Sequence, residues 1–334
     1  MGDIRPWLIL SSIKGIGPKT LKVLIDRFGD PVAVLEAEED LISEVVGPEK
    51  ARAIKSRKGV REERIRNTER ILQKEDIGAV TLTDPGYPYP LRSLPDPPPV
   101  LFYSGILKRT PLVGIVGPRR PSSYTLSLVD SLVSEALRSG YGTVSGGARG
   151  VDTRVHLATL KRSGYTVCVL GSGLLKAEGK LLDMILKSGG LLLSEFFPDE
   201  PPSRHTFPRR NRVIAGLSEF LVVPEAGRKS GSLITARYAH RYGREVFVHT
   251  GQGGERWEGC SALLEEGIGR VFSGPKDIFG VQRCDPLEDF LKTPRTFEEV
   301  LRFLGLPPDE AMSRLTHLEL EGKVRREGPF YTAC

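Results

Sequence analysis

The spacing of apolar positions changes character along the chain. Near the N-terminus, Leu21, Leu24, Ile25 and Phe28 repeat at i, i+3, i+4 and i+7, which predicts a helix with one buried face. It starts after Gly15-Ile16-Gly17-Pro18, with Pro18 at a first helical position, where a missing N–H breaks no intrahelical bond. A Gly-apolar-Gly turn between short helices is the helix-hairpin-helix pattern. Flanked by Lys14 and Lys19, it either offers helix N-terminal amides to a phosphate or only bends a small helical domain tightly. From Lys50 to Lys74 charges of both signs alternate, predicting a solvated helical segment.

Between Asp84 and Pro99 the sequence DPGYPYPLRSLPDPPP is too rich in proline to continue a helix or a central strand, and it predicts a connector. Leu101, Phe102 and Tyr103 follow directly, so the connector should pack on what comes next. From Leu112 to about Phe279, the short apolar runs LVGIV, TVCVL, GLLLS, FLVVP and EVFVH alternate with loops and helical segments. Continuous apolar runs are those of a parallel sheet buried on both faces, whose ligands bind beyond the carboxyl ends of the strands. The last fifty residues predict a helix near Phe297 to Leu304, a turn at Pro307-Pro308, a helix with Leu315 and Leu318, and a basic hairpin from Lys323 to Tyr331. That is the order of a winged helix. Glu310, Glu319 and Glu321 on or near its second helix argue against groove binding there and leave a protein-contact role open.

The expected fold is therefore α/β, an extended Rossmann-like parallel sheet between a helical helix-hairpin-helix (SAM-like) unit and a winged helix. The boundaries read as 1–75 for the helical unit, 76–107 for the connector, 108–281 for the sheet domain and 282–334 for the winged helix.

Composition adds only a little. The formal charge is +6, with 48 Lys and Arg against 42 Asp and Glu, which favours an anionic partner without demanding one. Cys168, Cys260, Cys284 and Cys334 are scattered with no CxxC pair, which disfavours a zinc knuckle, a redox dithiol or a disulfide framework and suits a reducing cytoplasm. The opening MGDIRPWLILSSIKGIG lacks a signal peptide's apolar run, and no stretch is long enough to span a bilayer. A cytosolic protein is expected, with no membrane partner.

The chemistry lies in where small and basic residues fall. Gly117-Pro118-Arg119-Arg120 follows the strand LVGIV and precedes a helix near Ser123, so backbone amides, a helix dipole and two guanidiniums can converge on one anion. Ser145-Gly146-Gly147-Ala148-Arg149-Gly150-Val151-Asp152 again joins strand to helix; Arg149 is the cation there, and Asp152 reads as a cap that holds the loop. From Ser203 to Arg212 the chain has Arg204, Arg209, Arg210 and Arg212 with Phe207 and Asn211 and no acid. Guanidiniums for phosphates and an aromatic face for a base are what single strands require, although Phe207 and some of these arginines would equally brace the sheet. Pro224 to Thr235 places Arg228, Lys229, Ser230, Gly231 and Ser232 at the start of a helix, where amides and hydroxyls cap it or cradle a phosphate.

GPRRPSSY, SGGARGVD, FPRRNRVIAGLS and EAGRKSGSLITA, in this order, resemble the successive signatures of the DNA-processing protein A family, DprA or Smf, and the proline-rich connector is also similar to that family's. The resemblance implies binding of incoming single-stranded DNA, a homodimer, and delivery of the strand to the recombinase RecA in natural transformation, with no catalysis and no cofactor. Carried over by motif, the contacts are Arg119, Arg149, Phe207, Arg209, Asn211, Arg212, Ser230 and Ser232, with Arg204 just outside the matched stretch. Arg120, Ser145, Gly146 and Gly231 join them from the loops themselves. Three positions depart from the family pattern: Pro118 for a usual serine, Gly147 for leucine, and Thr250 for proline. Pro118 removes one amide and one hydroxyl from the first loop.

The competing class is a nucleotide-binding phosphoribohydrolase of similar fold. Leu233, Ile234 and Thr235 follow Gly231-Ser232, so no carboxylate stands where glycosidic cleavage would need it, and only Glu195 and Glu225 remain for that role. No GxGxxG with a following acid and no GxxxxGK[ST] is present, which disfavours dinucleotide and P-loop chemistry.

Overall fold

The computed structural model describes residues 3–251, 253–280, 286–320 and 322–333; Cys284, Glu321 and Cys334 lie outside them. It divides into two compact units, Met1–Phe279 and Gly280–Cys334.

The first unit opens with helices α1 (Arg5–Ser12), α2 (Pro18–Phe28), α3 (Pro31–Glu36), α4 (Glu39–Val46), α5 (Pro48–Lys55) and α6 (Glu62–Lys74). The predicted face of α2 is inward, with Leu21, Leu24 and Ile25 buried, and Pro18 takes the first turn as expected. Gly15, with φ of 93°, makes the bend before it in a region where side chains are strained. Strands and helices then alternate as β1 (Gly78–Thr81), α7 (Tyr89–Arg92), β2 (Val100–Gly105), β3 (Leu112–Ile115), α8 (Ser123–Arg138), β4 (Gly142–Gly146), α9 (Val151–Leu160) and β5 (Thr166–Val169). They continue as α10 (Lys180–Lys187), β6 (Leu191–Ser194), α11 (Thr206–Leu217), β7 (Ser218–Val223), α12 (Ser232–Arg241), β8 (Glu245–Val248), α13 (Glu258–Glu265), β9 (Arg270–Val271) and α14 (Pro275–Phe279).

Among the described residues the strands form one nine-stranded sheet in the order β1-β2-β6-β5-β4-β3-β7-β8-β9. From β6 to β9 all pairs are parallel. The chain starts this run at β3, moves outward through β4, β5 and β6, then returns to the other side of β3 with β7. The order reverses between β3 and β7, the crevice where open α/β sheets bind ligands.

Strands β1, β2, β4 and β9 lie outside the five apolar runs read from the sequence. β1 and β2 pair antiparallel, and β2 pairs antiparallel with β6, so the proline-rich segment is the crossing of a hairpin that extends the sheet. It is ordered: Tyr87 is buried and donates its hydroxyl to the Pro98 carbonyl at 2.8 Å. Leu91 and Leu94 pack on α11 at Gly216, where a methyl group would lie 2.5 Å from Leu94 and 2.7 Å from Leu91.

Leu8, Leu10, Leu21 and Leu24 of the N-terminal helices share one apolar cluster with Leu101, Phe102, Leu192 and Ile214 of the sheet domain. The other sheet face buries Val113, Ile115, Leu132, Val133, Val155 and Phe220.

The second unit contains α15 (Pro286–Phe290), β10 (Arg295–Thr296), α16 (Phe297–Leu304), α17 (Pro308–Leu320), β11 (Val324–Glu327) and β12 (Phe330–Ala333). Thr296 and Glu299 cap α16 reciprocally, and Leu287, Val300, Leu304, Leu315, Leu318 and Tyr331 form its core. This is the helix, helix, helix and wing predicted from the sequence. No helix among the described residues is long and apolar enough to cross a membrane.

Candidate nucleic-acid interface

The glycine-rich loops all leave the carboxyl ends of parallel strands, and packing contacts link them into one surface. The loop after β3 meets the loop after β4 at Gly150: its φ is 87°, and a methyl group there would run into the Pro118 carbonyl oxygen and lie 2.7 Å from the Arg119 carbonyl. Only glycine permits that approach. The Val151 amide then donates to the Pro118 carbonyl at 3.2 Å, so the proline that departs from the family pattern supplies the acceptor that ties the two loops.

The stretch expected as a third loop is instead the first turns of α11. Ser203 and Thr206 cap it mutually, Ser203 N–H to Thr206 Oγ1 at 2.9 Å and Thr206 N–H to Ser203 Oγ at 3.2 Å. Helical spacing sorts its side chains. Phe207, Arg210 and Asn211 share one side, while Arg209 and Arg212 share the side facing Glu195. The Phe207 ring lies on the backbone of Gly171 after β5, where a methyl group would sit 2.7 Å from it. Asn211 Nδ2 donates to the Gly231 carbonyl of the loop after β7 at 3.4 Å. Through α11, loops after β5 and β7 join the surface.

Beneath it sits Arg210, absent from the expected contacts, at 5% exposure. It donates to the Val169 carbonyl at the end of β5 and, through Nε, to Asn211 Oδ1 at 3.2 Å. Gly146 passes directly over it, since a Cβ there would meet its guanidinium and lie 2.5 Å from the Asp152 carboxylate. Burial pushes the Asp152 carboxyl up, opposed first by Arg210. Burial also pushes the Arg210 guanidinium down, opposed by Asp152, and Arg119 adds to that lowering. Asp152 does hold its loop, accepting from the Ala148 amide at 3.3 Å, although Gly150 occupies the cap position. Phe207 at i and Arg210 at i+3 bring the guanidinium 5.9 Å from the ring centre; that spacing was the available signal for Arg210.

The expected contacts divide by exposure. Arg119, Arg120, Arg149, Arg204, Phe207, Arg209 and Gly231 are exposed, and Asn211 and Ser230 are half-buried. Four others point inward. Ser145 is buried and donates to the Ile115 carbonyl at 2.7 Å, which ties β4 to β3, and Gly146 is the close-approach residue over Arg210. Ser232 is buried, with its hydroxyl 2.7 Å from that of Ser230 at the start of α12. Arg212 corrects the sequence expectation most clearly: its side chain is 5% exposed and paired with Glu195, itself 2% exposed, with Asp96 3.9 Å away. Arg209 is the member of the pair left outside, 53% exposed and 3.3 Å from the same carboxylate.

The two acids that remained for catalysis are engaged. Glu225 accepts from the Ser122 amide and hydroxyl at 2.9 Å and from Arg256 at 3.1 Å. Burial pushes it up, but hydrogen bonds from Thr125, Ser122 and Arg256 outweigh this and hold it below the ordinary carboxylate range. It clasps the loops after β3 and β7 across the crevice where strand order reverses. Glu195 uses Oε2 for Arg209 and Arg212.

The "DNA recombination-mediator protein A" family model matches residues 78–282, a SAM-like helix-hairpin-helix tandem matches 8–57, and a DprA winged helix domain matches 288–328. Protein Smf of Synechocystis is 34% identical over 80% of this chain and 70% of its own length. DNA processing protein A from Streptococcus pneumoniae superposes with a TM-score of 0.69 at 31% identity, over 84% of this chain and 97% of that one. DNA processing protein A from Helicobacter pylori, whose structure concerns its single-stranded DNA binding mode, gives 0.54 at 31% identity over 60% of this chain and 94% of that one.

Proposed function

The chain belongs to the DNA recombination-mediator protein A family, and from that premise we propose that it binds single-stranded DNA along the surface built by α11 and the loops after β3, β4, β5 and β7. The observation that carries this reading is the exposed set Arg119, Arg149, Phe207 and Arg209, laid over a buried Arg210 and knitted together by the Gly150, Gly171 and Gly231 contacts. Guanidiniums follow a phosphate chain, and an exposed ring on a rigid helix offers an unpaired base a face. Duplex bases, already stacked, cannot use that ring.

Asn211 and Ser230 contribute polar contacts at the rim, while Ser145, Gly146, Arg212 and Ser232 shape the surface from behind. The protein acts without catalysis as a mediator: it protects the strand and, as a homodimer, hands it to the RecA recombinase. A phosphoribohydrolase needs an available carboxylate at this crevice, and Glu225 is held there as a structural clasp.

Fluorescence anisotropy with single- and double-stranded oligonucleotides of equal length, titrated across salt, tests the proposal. Tighter binding of single strands with a steep salt slope is expected. Equal affinity for both, or sustained release of base from nucleoside monophosphates, would overturn it.

A further inference from the structure

Across the strand-reversal crevice from Phe207, a second aromatic ring stands at the carboxyl edge of the sheet. Tyr124 lies in the first turn of α8, two residues after the capping Ser122, and is 46% exposed. Its hydroxyl is 3.0 Å from Nε2 of His249, the residue after β8, and the two ring centres are 5.4 Å apart with the planes tilted by 51°. Phe272 packs edge-on against His249 at 5.3 Å.

These contacts fix the ring in place. Gly251 N–H donates to His249 Nδ1 at 2.7 Å, which puts the proton of the neutral imidazole on Nε2. Burial pushes His249 down, so it is neutral at pH 7. Nε2–H therefore donates to the Tyr124 oxygen, and the Tyr124 hydroxyl keeps its own proton for an acceptor outside.

Sheet spacing gives the distance between the two rings. Phe207 covers Gly171, two residues past β5, and Tyr124 meets His249, one residue past β8. With β4, β3 and β7 between them, β5 and β8 are four strand steps apart, and at about 4.8 Å a step the separation along the edge is roughly 19 Å. That interval carries Arg149 after β4 and Arg119 and Arg120 after β3, all exposed. Arg256 pins the far side of the loop after β3, donating to the Arg120 carbonyl at 3.2 Å and to Glu225 at 3.1 Å. Glu225 offsets the charge of Arg256, and the exposed Glu255 precedes it, so Arg120 is the cation offered to a phosphate here.

An aromatic ring, a row of guanidiniums and a second aromatic ring form a track that a single strand can follow. We propose that Tyr124 is a second base platform: a strand stacked on Phe207 crosses the sheet edge over Arg149, Arg119 and Arg120 and stacks a later base on Tyr124. The Tyr124 hydroxyl donates to a phosphate oxygen or base carbonyl beside it. This rests on the function proposed above and adds a footprint to it, because only a strand long enough to pass the crevice engages the second ring.

Fluorescence anisotropy with oligothymidylates of about 4 to 16 nucleotides tests this on wild type, Tyr124→Ala, Tyr124→Phe and Phe207→Ala, with thermal melting to establish that each folds. Ultraviolet crosslinking of a bromodeoxyuridine strand, mapped by mass spectrometry, locates the bases. Wild-type affinity should rise in a second step once the strand reaches Tyr124. Tyr124→Ala should remove that step, losing about fivefold or more on long strands and nothing on the shortest that bind. Tyr124→Phe should keep most of it, and Phe207→Ala should weaken every length. Crosslinks should form at both rings. A folded Tyr124→Ala protein that matches wild type at every length, with no crosslink at Tyr124, overturns this inference and leaves the function proposed above standing. An equal loss at every length also overturns it and makes Tyr124 a brace for the Arg119 loop. Failure of wild type to bind single strands of any length overturns both.

Discussion

Gly150 and Arg119 are in backbone contact: a methyl group on Gly150 would lie 2.7 Å from the Arg119 carbonyl carbon, at a φ of 87° that side chains rarely adopt. Gly150→Ala therefore combines a steric clash with a strained backbone. A conformation of this kind costs on the order of 1–3 kcal/mol before the clash is counted. Chemical denaturation should show a loss at the upper end of that range, and oligonucleotide affinity should fall with it, because the two loops can no longer close together.

Arg119 is exposed and opens a loop that leads into α8. A charge-assisted contact contributes about 1.5–3 kcal/mol, so Arg119→Ala should weaken single-strand binding about tenfold or more. One lost phosphate contact should flatten the logarithmic salt slope by about 0.7. Arg119→Lys should recover only part of the affinity, since an ammonium keeps the charge without the fork. Wild-type affinity and slope in a folded Arg119→Ala protein would make this loop structural.

Phe207 is 37% exposed and rests on Gly171, so its ring is fixed in place before any base arrives. Removing a stacking face costs about 1–3 kcal/mol per base. Phe207→Ala should weaken single-strand binding by that amount, leave the salt slope unchanged and reduce the preference over duplex. A changed slope with unchanged preference would assign the ring to packing.

Arg209 and Arg212 share Glu195 but should fail differently. Arg212→Ala leaves a carboxylate that is 2% exposed without its buried partner, a loss of about 3–5 kcal/mol for pairs of this kind. Arg209→Ala should leave the melting temperature nearly unchanged and weaken oligonucleotide binding instead. Equal effects of both on melting would contradict the division drawn here.

His156 is fully buried between Thr166 Oγ1 at 2.8 Å and the Gly146 carbonyl at 2.9 Å. Burial pushes it down to about 4, so the folded chain holds it neutral while the unfolded chain protonates it near 6.5. The stabilisation is therefore complete above pH 6.5 and declines as pH falls toward 4. Stability measured by denaturant should decrease over that window, and His156→Gln, less stable at pH 7, should show a shallower decline.

Much of the fold was legible because parallel strands buried on both faces write themselves as apolar runs, as in TVCVL and FLVVP. β1 was not, since GAVT pairs with β2 across a proline-rich crossing that looks like a linker. The surface was legible where glycine spacing records backbone approach. It misled at α11, where Arg212 and Arg209 are equally basic in sequence and differ only in which way a helix turns them. Arg210 was missed because burial, which decides its role, is invisible in a run of arginines.

Arg210 has a consequence for the temperature dependence of recognition. Arginine loses about 2 kcal/mol of rotamer freedom when fixed; for Arg210 that loss occurs during folding, through its bonds to Val169 and Asn211. Arg119 and Arg149 must be stilled each time a strand arrives. The pull of Arg210 carries no such ordering term, so variants that lose the mobile arginines should bind with a less unfavourable entropy, and what remains of their affinity should fade less on warming.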